Sequence, residues 1–170
     1  MPAEEIVQIV DRNNQVIDAV PRKVMREQGL IHRASYILVF DPNDRLFVQK
    51  RTMTKDVFPG YWDVAAGGVV LAGEDYLESA RRELAEELGV SGLALDFLFD
   101  HFHEDAQNKV WGHVFRCVHP GPFILQKEEI DSGEFMSVEH IFELNEKEPV
   151  TPDGLDILVK LTDFDILQKK

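Results

Sequence analysis

The stretch from residue 68 to 90, GVVLAGEDYLESARRELAEELGV, constrains this chain more than any other part of it. Its fixed spacing is G-x5-E-x7-R-E-L-x-E-E-x-G-V. Glu74, Arg82, Glu83, Glu86 and Glu87 fall within fourteen residues. Like charges at helical spacing repel, so such a cluster is costly unless something offsets it. A divalent cation is the simplest candidate.

The local pattern reads as a loop feeding a helix. Asp75 is placed to cap the N-terminus, and Glu78 three residues later completes a capping-box pair. Leu77, Ala80, Leu84 and Leu88 recur at helical spacing as one apolar stripe. Gly89 is a natural stop. Glu83, Glu86 and Glu87 then share a face beside that stripe, and Arg82 is four residues before Glu86, close enough to pair with it. A row of hard carboxylate oxygens suits Mg2+ or Mn2+ rather than zinc.

At these residues the sequence resembles the Nudix hydrolases. The family's box is matched at Gly68, Glu74, Arg82, Glu83, Leu84, Glu86, Glu87, Gly89 and Val90. An ordinary solvated amphipathic helix would explain acidic residues in general. It would not explain two glycines and an arginine at set distances.

Composition sets the surroundings. A chain of 170 residues is expected to form one domain, 1–170, with a real core. Its 44% hydrophobic and 29% charged residues are those of a globular protein. No apolar run approaches the ~18 residues of a membrane span. The acidic start, MPAEEIVQIVDRNN, lacks the basic and apolar regions of a secretory signal. Cys117, the one cysteine, sits in an apparent strand and reads as a small core residue. With no intrachain disulfide available, the expected compartment is the cytoplasm. A net charge of −13 argues against long nucleic acid as a partner. It is compatible with a small phosphorylated substrate, where a metal supplies positive charge locally.

The rest of the chain reads as a mixed sheet with few helices. Residues 5–20 form a hairpin and 21–29 a short helix or turn. ASYILVF and RLFVQKR, joined by DPND, form the clearest hairpin, with Lys50 and Arg51 ending its second strand. KDVFPGYWDVAAGG is a loop and short strand running into the box. Strands follow at 95–103 and 109–119, then a loop, GPFILQKEEID. EFMSV leads into a helix at 138–145, and the segment 152–168 begins with a TPDG turn and is expected to hold the final helix.

The resemblance implies an α+β fold, an α/β/α sandwich around a mixed β-sheet, with an N-terminal β-hairpin. IVDRNNQVI, IHRAS, LFVQKR, FPGYWDVAAGG and EEID extend it to the branch containing isopentenyl-diphosphate isomerase and the bacterial hydrolases that look like it. Isomerase activity is the competing reading. That enzyme needs a cysteine before the box, a metal-binding histidine close behind it, and paired glutamates on a later strand. Here DVAAGG places Ala65, Ala66, Gly67 and Gly68 in the first region, and KVWGHVF carries no acid. His32 alone matches an isomerase metal ligand, and without its partners it reads as structural or as pocket wall. A non-catalytic nucleotide sensor is the third reading; a lost box glutamate would favour it, and none is lost.

The family resemblance implies hydrolysis of a phosphoanhydride in a nucleoside diphosphate-linked or related small molecule, with Mg2+ or Mn2+. It assigns Glu83, Glu86 and Glu87 to the metal, with the backbone carbonyl of Gly68 as a further candidate ligand, and counts Gly68 among the substrate-binding residues. Glu86 is the first candidate for the base that takes the proton from water, and Glu129 the second. Arg82 orients a carboxylate, and Glu74 braces the loop or reaches the metal through water. The resemblance also allows a homodimer. Lys50 and Arg51 are candidates to hold the diphosphate, although strand alternation turns only one of them to the cleft. His101 and His103 share one strand face. Histidine is not the preferred ligand for Mg2+, and no cysteine or third histidine stands at usable spacing, so a ligand role is not expected. Tyr61, Trp62 and Trp111 are candidates to stack on a nucleobase, although aromatic residues in strands more often fill the core, and His113, His119 and His140 carry no distinguishing context.

Overall fold

The computed structural model describes residues 5–168, with side chains to residue 165. The expected span of 1–170 passes beyond it at both ends.

Thirteen elements follow one another: β1 (Ile6–Val10), β2 (Val16–Pro21), α1 (Arg22–Gln28), β3 (His32–Phe40), β4 (Leu46–Arg51), β5 (Trp62–Asp63), β6 (Ala66–Val69), α2 (Tyr76–Leu88), β7 (Asp96–Glu104), β8 (Lys109–Val118), β9 (Ile130–Met136), α3 (Val138–Leu144) and α4 (Pro152–Gln168). The strands form one mixed, open sheet, and the fold is α+β. β3 is its hub. One edge of β3 runs parallel to β8 from His32↔Val110 to Phe40↔Val118. The other edge is divided among β1, β6 and β4.

Alternation along the strands produces the layers. Leu38 and Phe40 of β3, Leu46 and Val48 of β4 and Val114 of β8 point to one side, where Ile141 of α3 and Ile157, Leu158 and Leu161 of α4 cover them. Ile37, Val39, Phe47, Phe115 and Cys117 point to the other side, under Ala80, Leu84 and Leu88 of α2. A strand buried on both faces reads as a continuous apolar run, which is why YILVF has no polar residue after Tyr36. Helices on both faces make the sandwich.

The expected β3–β4 hairpin is corrected here. Its turn forms: Asp41 Oδ1 accepts from the backbone N–H groups of Asn43 and Arg45. The ladder beyond the turn is a single pair, Phe40↔Leu46. β4 then pairs with β9 and β5, because β6 takes the β3 edge at Ala34–Ile37.

The N-terminal hairpin is fastened to the loop before α2. Gln8 N–H donates to the Val70 carbonyl at 3.3 Å, Ala72 N–H to the Ile6 carbonyl at 2.9 Å, and the Gln8 side chain to the Glu74 carbonyl at 2.8 Å. Val7, Ile9 and Met25 bury against Val69. This packing carries α1 to the mouth of the cleft described below.

Candidate active site

α2 holds the acidic row. Asp75 Oδ1 accepts from Glu78 N–H at 2.8 Å, and the Glu78 carboxylate reaches back to Asp75 N–H, so the capping box forms. Gly89, at φ +70, closes the helix in the left-handed conformation. Ser79 Oγ meets Ser35 Oγ of β3 at 3.1 Å and fixes the helix against the sheet.

The three glutamates are not equivalent. Glu87 is 6% exposed, Glu83 is mostly buried, and Glu86 sits at the rim with its side chain 49% exposed. Burial pushes the Glu87 carboxyl well above its ordinary value, and the charge of Glu83 pushes the same way. Burial also raises Glu83, with Glu86 adding to it and Arg82 opposing. Two adjacent carboxylates held out of water favour either protonation or a cation.

The opposite wall is the Gly67–Gly68 backbone of β6. Gly67 N–H donates to Glu87 Oε1 at 2.9 Å. A Cβ on Gly68 would lie 2.8 Å from Glu83 Oε1, so a bare backbone is what admits that carboxylate. Buried carboxylates beside an open peptide edge form an all-oxygen donor set, and that chemistry fits Mg2+ or Mn2+.

Arg82 ties the row to the loop. Its Nε donates to Glu74 Oε2 at 2.7 Å and its Nη2 to Glu74 Oε1 at 3.0 Å, while Nη1 reaches Glu83 at 3.0 Å and Glu86 at 3.3 Å. The expected Arg82–Glu86 pair therefore exists as the longest of three. Glu74 also accepts from Leu71 N–H at 2.9 Å, so its position is that of a loop brace.

A cleft of about 260 Å³ runs along Glu83, Glu86 and Glu87 and includes Glu129 and Gln126. It shares the walls Arg22, Lys55 and Gly67–Val69 with an adjoining pocket of about 90 Å³ lined by Arg26, Arg51, His32, Tyr36, Asp63 and Asp153. One half is acidic and the other is rich in cations. Arg22 and Arg26 share a single carboxylate, Asp56, at 3.3 and 3.0 Å. Although burial works against it, those two guanidiniums hold the Asp56 carboxyl well below the usual range. Arg51 pairs with Asp63 at 3.0 Å, and Lys55 pairs with Glu129.

Arg22, Arg26 and Lys55 are absent from the sequence-based candidates. They are distant from the box in sequence and carry no motif. Only the docking of the hairpin shows that α1 faces the cleft. Lys50 and Arg51 separate as alternation requires. Arg51 lines the pocket, while Lys50 turns away to Glu148 at 3.1 Å and lies over the Trp62 ring. The expectation of a substrate contact at Lys50 is not supported by this placement.

His32 lines the pocket 2% exposed, with Nδ1 3.2 Å from the Leu30 carbonyl. Burial and the charge of Arg26 lower its pKa to about 3, so it is a neutral wall residue. Trp111 spends its indole N–H on the Arg12 carbonyl, and Tyr61 leans on Phe58. Cys117 is in the core, its thiol pushed up to about 11 by burial.

A family model described as NUDIX domain matches residues 30–156. The chain belongs to the Nudix family. An uncharacterised Nudix hydrolase of Yersinia pestis is 47% identical over 154 residues, covering 91% of this chain and 84% of the relative. One from Pseudomonas aeruginosa is 42% identical over 91% of each chain. The Nudix hydrolase YfcD of Escherichia coli K12 is 44% identical over 93% of this chain and 87% of its own. Among solved structures, DR0079 of Deinococcus radiodurans superposes with a TM-score of 0.82 at 23% identity, over 92% of this chain and 98% of that one. The Nudix domain of Shewanella oneidensis NrtR, solved with ADP ribose, superposes at 0.58 with 14% identity, over 78% and 86%. These likenesses show the fold. The protein is a Nudix hydrolase, an enzyme of the divalent-metal-dependent pyrophosphohydrolase type. The segment matched to the Nudix domain begins after α1, so Arg22 and Arg26 enter the cleft from outside it. Among the described residues no helix is long and apolar enough to cross a membrane.

Proposed function

We propose that this chain, 1–170 acting as one catalytic domain, hydrolyses the phosphoanhydride bond of a small diphosphate compound, of the nucleoside diphosphate-linked class or close to it. One observation carries the reading. The buried Glu83–Glu87 pair lines a cleft with Arg22 and Lys55, and those two cations also line the adjoining pocket with Arg26 and Arg51. A diphosphate needs both halves: a metal on its bridging region and fixed positive charge on its outer oxygens.

Glu83, Glu86 and Glu87 would hold Mg2+ or Mn2+, with the Gly68 peptide beside them. When bound, the ion neutralises phosphate charge and favours in-line attack by water. The chain's own residues do the rest. Glu86, at the wet rim, accepts the proton of the attacking water. Glu129 is the second candidate, held back by its pairing with Lys55. Arg22 and Arg26, with one carboxylate between them, seat and orient the phosphates. Ala65 and Ala66 are buried and apolar where an isomerase would need a proton donor, which supports hydrolysis over double-bond migration. This rests on a kinship with the isomerase branch read from residues outside the box.

The test is product release from a panel of diphosphates, with Mg2+, Mn2+ or EDTA, for the wild type and Glu83→Gln. ADP ribose, the compound held by the Shewanella oneidensis domain, belongs in the panel. So does isopentenyl diphosphate, read for isomerisation. The reading expects metal-dependent cleavage lost in Glu83→Gln. Isomerisation without cleavage, or nucleotide binding without turnover, would sink it.

A further inference from the structure

We infer that the protein has a second metal site, separate from the Nudix box, in which His101, His103 and Asp156 bind a divalent transition-metal ion of the zinc type. From sequence the two histidines lacked a third ligand. The fold supplies one 53 residues after His103, on the first turns of α4. One ring nitrogen from each histidine and an Asp156 carboxylate oxygen all lie within 4.8 Å of one another.

His101 Nε2 is buried and has no hydrogen-bond partner among the described residues. It points at Asp156 Oδ2 from 3.9 Å. That gap is too long for a hydrogen bond. A shared ion bonded to both at about 2 Å would draw them to roughly 3.3 Å apart in tetrahedral geometry, a closure of about half an ångström. An unpaired buried nitrogen otherwise costs free energy. A metal binds the neutral imidazole, the form that burial of His101 favours.

The support around His103 is that of a ligand. Nδ1 faces Asp156 at 2.7 Å, and the other ring nitrogen, Nε2, is held by Asp105 at 2.6 Å. Asp105 is itself fixed, its Oδ1 accepting from Gln107 N–H at 2.7 Å and Asn108 N–H at 2.8 Å. A carboxylate on the distal nitrogen is the usual device for setting the tautomer and orientation of a metal-binding histidine. Two imidazoles and one carboxylate favour zinc-like ions over Mg2+. Asp156 is half exposed, which leaves the site open to solvent and to a fourth ligand.

Without a metal, the same geometry has another explanation. His103 can carry a proton between Asp105 and Asp156, and those hydrogen bonds outweigh burial and raise its pKa. That account leaves His101 Nε2 unpaired. A bound ion would join β7 to α4 three residues from Asp153, which lines the cleft and accepts from Tyr36 OH at 2.7 Å.

The experiment titrates Zn2+ alone, and Co2+ as its spectroscopic substitute, into the full chain with the box saturated by excess Mg2+. Calorimetry and the Co2+ visible bands are the readouts. One ion is expected to bind despite the Mg2+, with bands of a four- or five-coordinate site. His101→Ala and Asp156→Asn should each weaken it roughly 100-fold. Asp156→Asn keeps an acceptor for His103, and circular dichroism of each variant reports folding independently. Mg2+-dependent hydrolysis, measured without zinc, should be unchanged in both. No Zn2+ binding under excess Mg2+, or equal binding in wild type and both folded variants, would overturn the inference.

Discussion

Gly67 N–H donates to Glu87 Oε1 at 2.9 Å, and this bond positions a carboxylate that burial and Glu83 both push toward protonation. The folded-state pKa of Glu87 is thus raised above its ordinary 4.5. A carboxyl with a raised folded pKa binds more protons folded than unfolded. Without metal, stability therefore falls as pH rises from about 4.5 toward the folded pKa, at ~1.4 kcal/mol per unit of upward shift. A bound cation reverses the preference. Mg2+ or Mn2+ is expected to raise Tm more at pH 8 than at pH 5.5. Glu87→Gln keeps the acceptor for Gly67 and removes the charge. It should raise the metal-free Tm at pH 8, abolish the metal-induced rise, and lower kcat/KM by about 100-fold or more. Thermal melts across pH with and without metal check this; a metal-induced rise of equal size at both pH values contradicts it.

The two glycines of β6 differ in what a methyl group would meet. At Gly68 it meets the Glu83 carboxylate at 2.8 Å, the mobile end of a side chain. At Gly67, where φ is +129, it meets the Ser35 carbonyl oxygen at 2.0 Å, fixed in the β3 ladder. Gly68→Ala is expected to fold with a Tm near wild type and lose about 10–100-fold in activity, because the carboxylate is displaced. Gly67→Ala should cost several kcal/mol, at least the ~1–3 kcal/mol of a strained backbone. Melting curves and initial rates on both variants separate the two; equal losses of stability would refute the distinction.

Arg82 and Glu74 form the tightest ion pair of the box, two hydrogen bonds at 2.7 and 3.0 Å. Neither lines the cleft that holds Glu83, Glu86 and Glu87. Glu74→Gln should cost about 1–3 kcal/mol of stability, since Arg82 is left half-buried with a weaker partner. The metal-ligating row stays in place. The rate should therefore fall only about tenfold, through kcat, with the metal requirement intact. A metal requirement shifted as far as in Glu87→Gln would instead make Glu74 a ligand.

The box and its helix were legible from sequence because their determinants are local. Asp75, Glu78, the Leu84–Leu88 stripe and Gly89 act within one helix, and each lies where its spacing puts it. The cation wall was not legible. Arg22 and Arg26 lie in the segment read only as a short helix or turn, and their role depends on β1 docking along Val70–Ala72. The hairpin at DPND was half legible. Turn chemistry fixed Asp41–Arg45, but competition for the β3 edge is non-local, and β6 wins it. His101 and His103 show the same limit: their shared face was visible in sequence, and Asp156 was not.

The cation wall makes the last prediction. Arg22 and Arg26 line the pocket and share Asp56, and Arg26 has no other carboxylate partner among the described residues, so its guanidinium is only partly neutralised toward a bound phosphate. Lys50 is committed to Glu148 on the far side of its strand. Each charge-assisted bond to a phosphate contributes about 1.5–3 kcal/mol. Arg26→Ala should therefore raise KM roughly 10–100-fold, with a smaller fall in kcat. Arg22→Ala should act in the same direction. Its effect is expected to be weaker, because Glu5 at 3.9 Å already draws on its charge. Lys50→Ala should leave both constants within about twofold, as a solvated ion pair contributes little. Steady-state kinetics on the three variants with one diphosphate substrate decide it. A KM effect at Lys50 as large as at Arg26 would move the diphosphate to the other side of β4 and require a different site.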